Sequence, residues 1–187
     1  MKLDRTSGLI EEADYHGSEN CDERPIGSIP EAIIIHCISL PPGEYGGSQV
    51  TDFFCNRLDS STHDYFAEIK HLRVSAHFFI RRDAALVQFV PTHLRAWHAG
   101  ESLCLGRPIV NDFSIGIELE GLDTDSNGFS KVQYAKLNEL IECLQTAYPK
   151  INTEHIFAHS DIAPGRKPDP GPYFDWKRLN LLKPLNS

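Results

Sequence analysis

The run Glu31 to Ile38, EAIIIHCI, constrains the fold more than any other stretch. It is short, β-branched and apolar on both alternating sides, so it reads as a strand covered on both faces, as inner strands are when helices flank a sheet. Phe113 to Glu120 is a second plain strand, with Phe113, Ile115, Ile117 and Leu119 alternating with Ser114, Gly116, Glu118 and Glu120. One side is core, and the other carries two carboxylates. Ser75 to Arg82 and Ala84 to Val90 read as strands around a tight Arg82-Asp83-Ala84 turn, and Thr153 to Ala158 as a further one.

Helices are expected from about Gln49 to Leu58, and from Ser130, whose spacing to Gln133 makes a capping box, to a stop at Pro149. Val132, Leu137, Leu140, Ile141 and Leu144 would form the buried side of the second, and Asp175 would cap a last helix through Leu182. Strands separated by helices, with one hairpin, give an α/β single domain: a mixed central β-sheet flanked by α-helices. Residues 1–30 are polar and broken by Gly17, Pro25, Gly27 and Pro30, so they read as an extended lead-in with little core of its own, ahead of a catalytic domain over 31–187.

Composition narrows the partners. The 187 residues carry 18 Lys plus Arg against 26 Asp plus Glu, a formal charge of −8, and such a surface neither holds a polyanion nor draws the chain to anionic lipid. No nucleic-acid or membrane partner is expected. The first residues lack the roughly 7–15-residue apolar stretch of a secretory signal, which points to the cytoplasm. Five widely spaced cysteines without a C-x-x-C pair argue against a disulfide framework, while nine histidines supply the commonest metal-ligating side chain.

His36 leaves a buried strand just before the SLPPGEYGG loop, and the carboxyl ends of strands are where α/β sheets bind ligands. The competing reading is a core histidine bonded to a carbonyl. His159 also ends an expected strand and enters SDIAPGRKPDPGP, where prolines hold Lys167 and Asp169 on stiff backbone, either for chemistry or as an ordinary charged turn. His36, His159 and Asp169 could make an open zinc site with the fourth position left to water, though sets drawn from His63, His71, His77, His93 or His98 stay possible. Glu118, on the polar side of an apolar strand, suits general-base work, whereas Glu120 reads as an edge carboxylate facing water. Trp97 and His98 of RAWHAG could wall a ligand or simply pack. Cys37 has no evident base to make it a nucleophile.

The stretches IIIHCISLPPGEYGG, HLRVSAHFFIRRD, RAWHAG, NDFSIGIELEG and AHSDIAPGRKPDPGPYFDW, in this order over about 31–178, resemble the AmpD family, the cytoplasmic 1,6-anhydro-N-acetylmuramyl-L-alanine amidases of peptidoglycan recycling. The resemblance implies the zinc-amidase fold shared with peptidoglycan recognition proteins. It implies Zn²⁺ on His36, His159 and Asp169, catalytic roles for Glu118 and Lys167, and substrate contacts at Arg73 and, through its backbone, Ala163. It also implies an anhydro-muropeptide substrate, a monomer, and an influence on β-lactamase induction through muropeptide levels. The sequence departs from the family pattern at Cys37, where Asn is common, and at Ile109, where an Arg is expected and Arg107 stands nearby. The rival readings are a muropeptide-binding module without catalysis and a lytic amidase acting on intact wall.

Overall fold

The computed structural model of the chain describes residues 1–180. The N-terminal segment forms a hairpin of β1 (Leu3–Asp4) and β2 (Leu9–Ile10), then β3 (Asp14–Tyr15) and β4 (Cys21–Glu23). β5 (Ala32–Ile38) is followed by two short helices, α1 (Gln49–Phe54) and α2 (Asp64–Ile69), and by β6 (Phe78–Ile80), β7 (Leu86–Gln88) and β8 (Leu94–Ala96). A small hairpin of β9 (Leu103–Cys104) and β10 (Arg107–Pro108) and a 3-10 turn at Val110–Asp112 lead into β11 (Ser114–Glu120). The long helix α3 (Lys131–Ala147), β12 (Ile156–Ala158) and the one-turn helix α4 (His159–Ile162) complete the order.

Six strands make the main sheet in the order β12-β5-β11-β6-β7-β3. β5 pairs in parallel with β11 and β12, and β6 turns back antiparallel to β7, so the sheet is mixed as expected. Every residue of β11 is buried. Its apolar set (Ile115, Ile117, Leu119) joins Ile33, Ile35, Phe78 and Ile80 against Leu137, Leu140, Ile141 and Leu144 of α3. Burying such side chains contributes about 1.5–3 kcal/mol each. The capping box at Ser130 and Gln133 is present and starts α3 where the sequence indicated.

Several expectations need correction. Residues 1–30, read as an extended lead-in with little core of its own, are paired into the fold: β3 joins β7 as the sixth strand, β4 pairs with β8, and Ile10 is buried in the main core. Arg24 drives its guanidinium inward to donate to the carbonyls of Asn111, Asp112, Thr92 and Ser114, which ties this segment to the start of β11. The first helix stops at Phe54 rather than Leu58, because Asn56 turns into the left-handed region at φ 58°. The hairpin strands shorten to β6 and β7, with Ala84 at φ 69° in their connection, a strained position for a residue with a Cβ.

Val132 sits on the solvent side of α3, 51% exposed. Thr153–His155 is a 3-10 turn, and only Ile156–Ala158 is strand. Glu120 is no edge carboxylate; it is buried on a central strand and accepts from the N–H groups of Gly46 and Arg82. Asp175 caps a 3-10 turn over Trp176–Arg178, and the expected end at Leu182 lies outside the described residues. Among the described residues no helix is long and apolar enough to cross a membrane.

Candidate active site

β5 and β11 lie side by side with His36 directly opposite Glu118 in the register. Because successive side chains alternate across a strand, the same period that buries Ile35 and Ile117 under α3 turns His36 and Glu118 to the other face. β12, on the far side of β5, ends at Ala158, and His159 opens α4 at once, its turn closed by the Asp161 carboxylate reaching back to the Ala158 N–H at 2.8 Å. The loop after α4 curls so that the Asp169 carbonyl accepts from the Ser160 N–H at 3.0 Å, and the Lys167 N–H donates to the Ala163 carbonyl at 3.1 Å. That fold-back swings the Asp169 carboxylate over both histidines.

The three side chains converge. The Nδ1 atoms of His36 and His159 lie 2.9 Å apart, and Asp169 Oδ2 lies 3.1 Å from the first and 3.0 Å from the second. Among the described residues this is the one group of His, Cys, Asp and Glu whose ligand atoms meet in this way. Burial holds the His36 imidazole down to about 4 despite the adjoining Asp169, so the ring is neutral near pH 7. Burial works to raise the Asp169 carboxyl, but the two rings beside it hold it well below the usual carboxylate range. Two imidazoles and one carboxylate, crowded on one point, are a donor set that suits a borderline divalent cation such as Zn²⁺.

Glu118 is buried, and its Oε2 has no hydrogen-bond partner. Burial, reinforced by the charge of Asp169 and opposed by Lys167, pushes its carboxyl well above the ordinary range. A carboxylate so placed binds a proton more strongly than a solvated one. Lys167 and Asp169 line a groove of about 310 Å³ together with Cys37, Leu40, Tyr65 and Leu72. A hollow of about 420 Å³ between the N-terminus and α3 has no histidine on its walls and lies apart from this cluster.

Other candidates fall elsewhere. Arg73 is exposed and its guanidinium folds back on the carbonyls of Lys70 and Leu72, next to the groove but not in its wall. Ala163 lines a separate hollow with Arg166, and its N–H and carbonyl are both used in the α4 turn. His63 caps α2, His77 accepts from the Gly116 N–H, and the Trp97 indole donates to Asp22, so none of them reaches the cluster. Cys37 is on the groove wall, but burial and then the charges of Glu118 and Asp169 push its thiol up, which argues against a nucleophile. His98, read from sequence as ligand wall or packing, stands instead with Nδ1 3.0 Å from His36 Nε2. No local sequence signal could have paired these two, since 62 positions separate them.

A family model described as N-acetylmuramoyl-L-alanine amidase matches residues 26–172. The 1,6-anhydro-N-acetylmuramyl-L-alanine amidase AmpD of Escherichia coli (strain K12) is 50% identical over 165 residues, 88% of this chain and 88% of that one. AmpD of Citrobacter freundii is 49% identical over 182 residues, 97% of this chain and 95% of its own. A crystal structure of a selenomethionine AmpD derivative matches with a TM-score of 0.91 at 49% identity, covering 95% of this chain and 97% of that one. The matched span takes in His36, Glu118, His159, Lys167 and Asp169 along with the whole centre of the sheet, and the chain belongs to the N-acetylmuramoyl-L-alanine amidase family.

Proposed function

We propose that this amidase binds Zn²⁺ through His36, His159 and Asp169 and cleaves its substrate with Glu118 as general base and Lys167 as the cation facing the developing charge. The reaction is hydrolysis of the amide between the lactyl group of 1,6-anhydro-N-acetylmuramic acid and L-Ala of the stem peptide, the step of peptidoglycan recycling carried out by the AmpD amidases to which the chain is similar throughout. The observation that carries the zinc reading is the meeting of two buried histidine nitrogens and a half-buried carboxylate oxygen within 3.1 Å of one another, beside a buried carboxylate oxygen with no partner.

Held by His36, His159 and Asp169, Zn²⁺ would supply Lewis acidity and would lower the pKa of a water toward about 7. Glu118 Oε2, unengaged, takes the proton of the attacking water and later hands it to the leaving amine of L-Ala, so that a carboxylic acid and a free stem peptide result. Lys167, an exposed residue of the groove lining, would bring its cation to the carbonyl oxygen as negative charge grows there. Leu40, Tyr65 and Leu72 add apolar surface to the groove that would receive the substrate. Arg73 would meet the substrate from the hollow beside this groove, and Ala163 from the separate hollow that it lines with Arg166.

Recognition of anhydro-muropeptides is supported by more distant relatives of the fold. AmiD of Escherichia coli, 29% identical with a TM-score of 0.59, has been crystallised with anhydro-N-acetylmuramic acid-L-Ala-D-γ-Glu-L-Lys. The reading carries with it a monomeric enzyme of the cytoplasm, and five unpaired thiols among the described residues fit a reducing compartment. The test is mass spectrometry of products from anhydro-muramyl tripeptide, with intact sacculi in parallel and a chelator control. Chelator-sensitive release of free tripeptide, restored by Zn²⁺, is expected. Release that persists in chelator would overturn the metal assignment, and muropeptide binding without release would leave a recognition module.

A further inference from the structure

The polar face of the sheet holds a chain of contacts that the reaction itself does not use. His36 Nε2 lies 3.0 Å from His98 Nδ1, His98 Nε2 lies 3.1 Å from Ser114 Oγ, and Ser114 Oγ lies 2.7 Å from the Val110 carbonyl. The chain has a direction, and its far end sets it. A carbonyl can only accept, so the single hydroxyl proton of Ser114 is committed to Val110. Ser114 Oγ is then the acceptor for His98, whose proton must sit on Nε2. That leaves a lone pair on His98 Nδ1, which accepts the Nε2 proton of His36. The His36 Nδ1 lone pair is thereby aimed at the point where His159 and Asp169 converge.

His159 is oriented by the next residue along. Its Nε2 lies 3.1 Å from the Ala99 carbonyl, which again can only accept, so the proton is on Nε2 and the lone pair on Nδ1. The two acceptors, His98 Nδ1 and Ala99 O, thus belong to consecutive residues. Both of their backbone N–H groups donate to one atom, Asn111 Oδ1, at 3.2 and 2.8 Å. Arg166 adds a second bond to the Ala99 carbonyl. Space for the imidazole comes from a glycine in the middle of β11: a Cβ at Gly116 would stand 2.5 Å from His98 Cγ.

We propose that His98 is a positioning residue that, together with the Ala99 carbonyl and under the clamp of Asn111, sets the tautomer and ring plane of both metal-ligating histidines and so governs how tightly the metal is held. The proposal rests on the zinc reading of His36, His159 and Asp169 given above. Outer hydrogen-bond partners of ligand histidines typically contribute about 10–100-fold in metal affinity. Here one dipeptide serves two ligands that lie 123 positions apart.

The experiment uses the full chain loaded with Zn²⁺ and labelled with ¹⁵N-histidine. Metal analysis gives the stoichiometry, and NMR reads the ring protonation and the ¹⁵N–¹⁵N coupling across the hydrogen bond from His36 Nε2 to His98 Nδ1. One equivalent of zinc, both ligand rings protonated at Nε2 and a measurable coupling are expected. Chelator competition on His98→Leu, which keeps bulk without an acceptor, should show zinc held about 10–100-fold less tightly. His98→Asn, whose amide oxygen stands where Nδ1 stood, should recover most of that loss although it fills the space less well.

One equivalent of zinc without the coupling, or with His36 protonated at Nδ1, overturns the proposal and leaves the zinc reading intact. Zinc affinity that falls in both variants in step with the melting point of the metal-free proteins, Asn the worse, shows a packing role and overturns it as well. A wild-type chain that takes up no zinc overturns the zinc reading and this inference together.

Discussion

The two faces of the central sheet share the same strands and are both buried, yet different physics holds them. Under α3 the contacts are Ile33, Ile35, Ile115, Ile117 and Leu119 against Leu137, Leu140, Ile141 and Leu144. On the other face stand His36, Ser114, Glu118 and Glu120, with His98 lying over Gly116. Apolar burial is roughly proportional to area and has no direction, so the first face tolerates exchange of one hydrophobic side chain for another of similar volume. On the second face each polar group needs a partner of the right kind at the right distance, because leaving one unsatisfied costs about 1–3 kcal/mol. Glu120 has its two N–H donors, and His98 and Ser114 have theirs. Glu118 Oε2 breaks the pattern, and that unsatisfied atom is the one assigned to move a proton.

The contrast can be broken experimentally. On the polar face, Glu118→Ala should lower kcat by about 10²–10⁴-fold while the protein still holds one equivalent of zinc. Steady-state turnover with metal analysis checks this, and near-wild-type turnover removes Glu118 from its role. On the apolar face, Leu137→Ala, at a fully buried position, should cost about 2–5 kcal/mol in urea unfolding and leave kcat per folded molecule unchanged. A large change in kcat would mean that the faces are coupled through the sheet.

The next test adds one methyl to the polar face. Gly116→Ala drives a Cβ into the His98 ring, so a loss of about 1–3 kcal/mol is expected together with weaker zinc binding. Ile117→Val, its neighbour on the other face, should cost about 0.5–1.5 kcal/mol with zinc affinity unmoved. Equal zinc affinity in the two variants would erase the distinction drawn between the faces. The smallest effect is expected outside both. Ser130→Ala removes the α3 cap, costs about 1 kcal/mol in thermal or urea unfolding and leaves zinc and turnover alone.

Much of the sheet was legible because its inner strands carry their burial in their own spelling. β5 and β11 each emerged within a residue of expectation, and Ser130 marked the start of α3 through a bond to Gln133 only three positions away. The strands of the first thirty residues were not legible. Two-residue strands such as Asp14–Tyr15 have no period to detect, and what makes them strands is pairing with Val87 and Gln88, far along the chain. Glu120 was misread for a related reason: alternation shows that it leaves the α3 face but not that Gly46 and Arg82 come to meet it.

The candidate site divides along the same line. His36, Glu118, His159, Lys167 and Asp169 were nameable from motifs, whereas His98 was named only as a ligand wall, packing or an alternative ligand, since its contact with His36 is not carried by a residue type. Sequence alone determined the residue types with acid–base and ligand chemistry, the strands that carry them and, through the period of two, which side of a strand each would leave. Tertiary structure alone decided which of nine histidines converge with Asp169, and which nitrogen of each is turned toward it. The physical reason is that hydrogen-bond direction belongs to a pair of groups. The partners that set it here, the carbonyls of Val110 and Ala99, are brought to His98 and His159 by the closing of the sheet and not by their place in the chain.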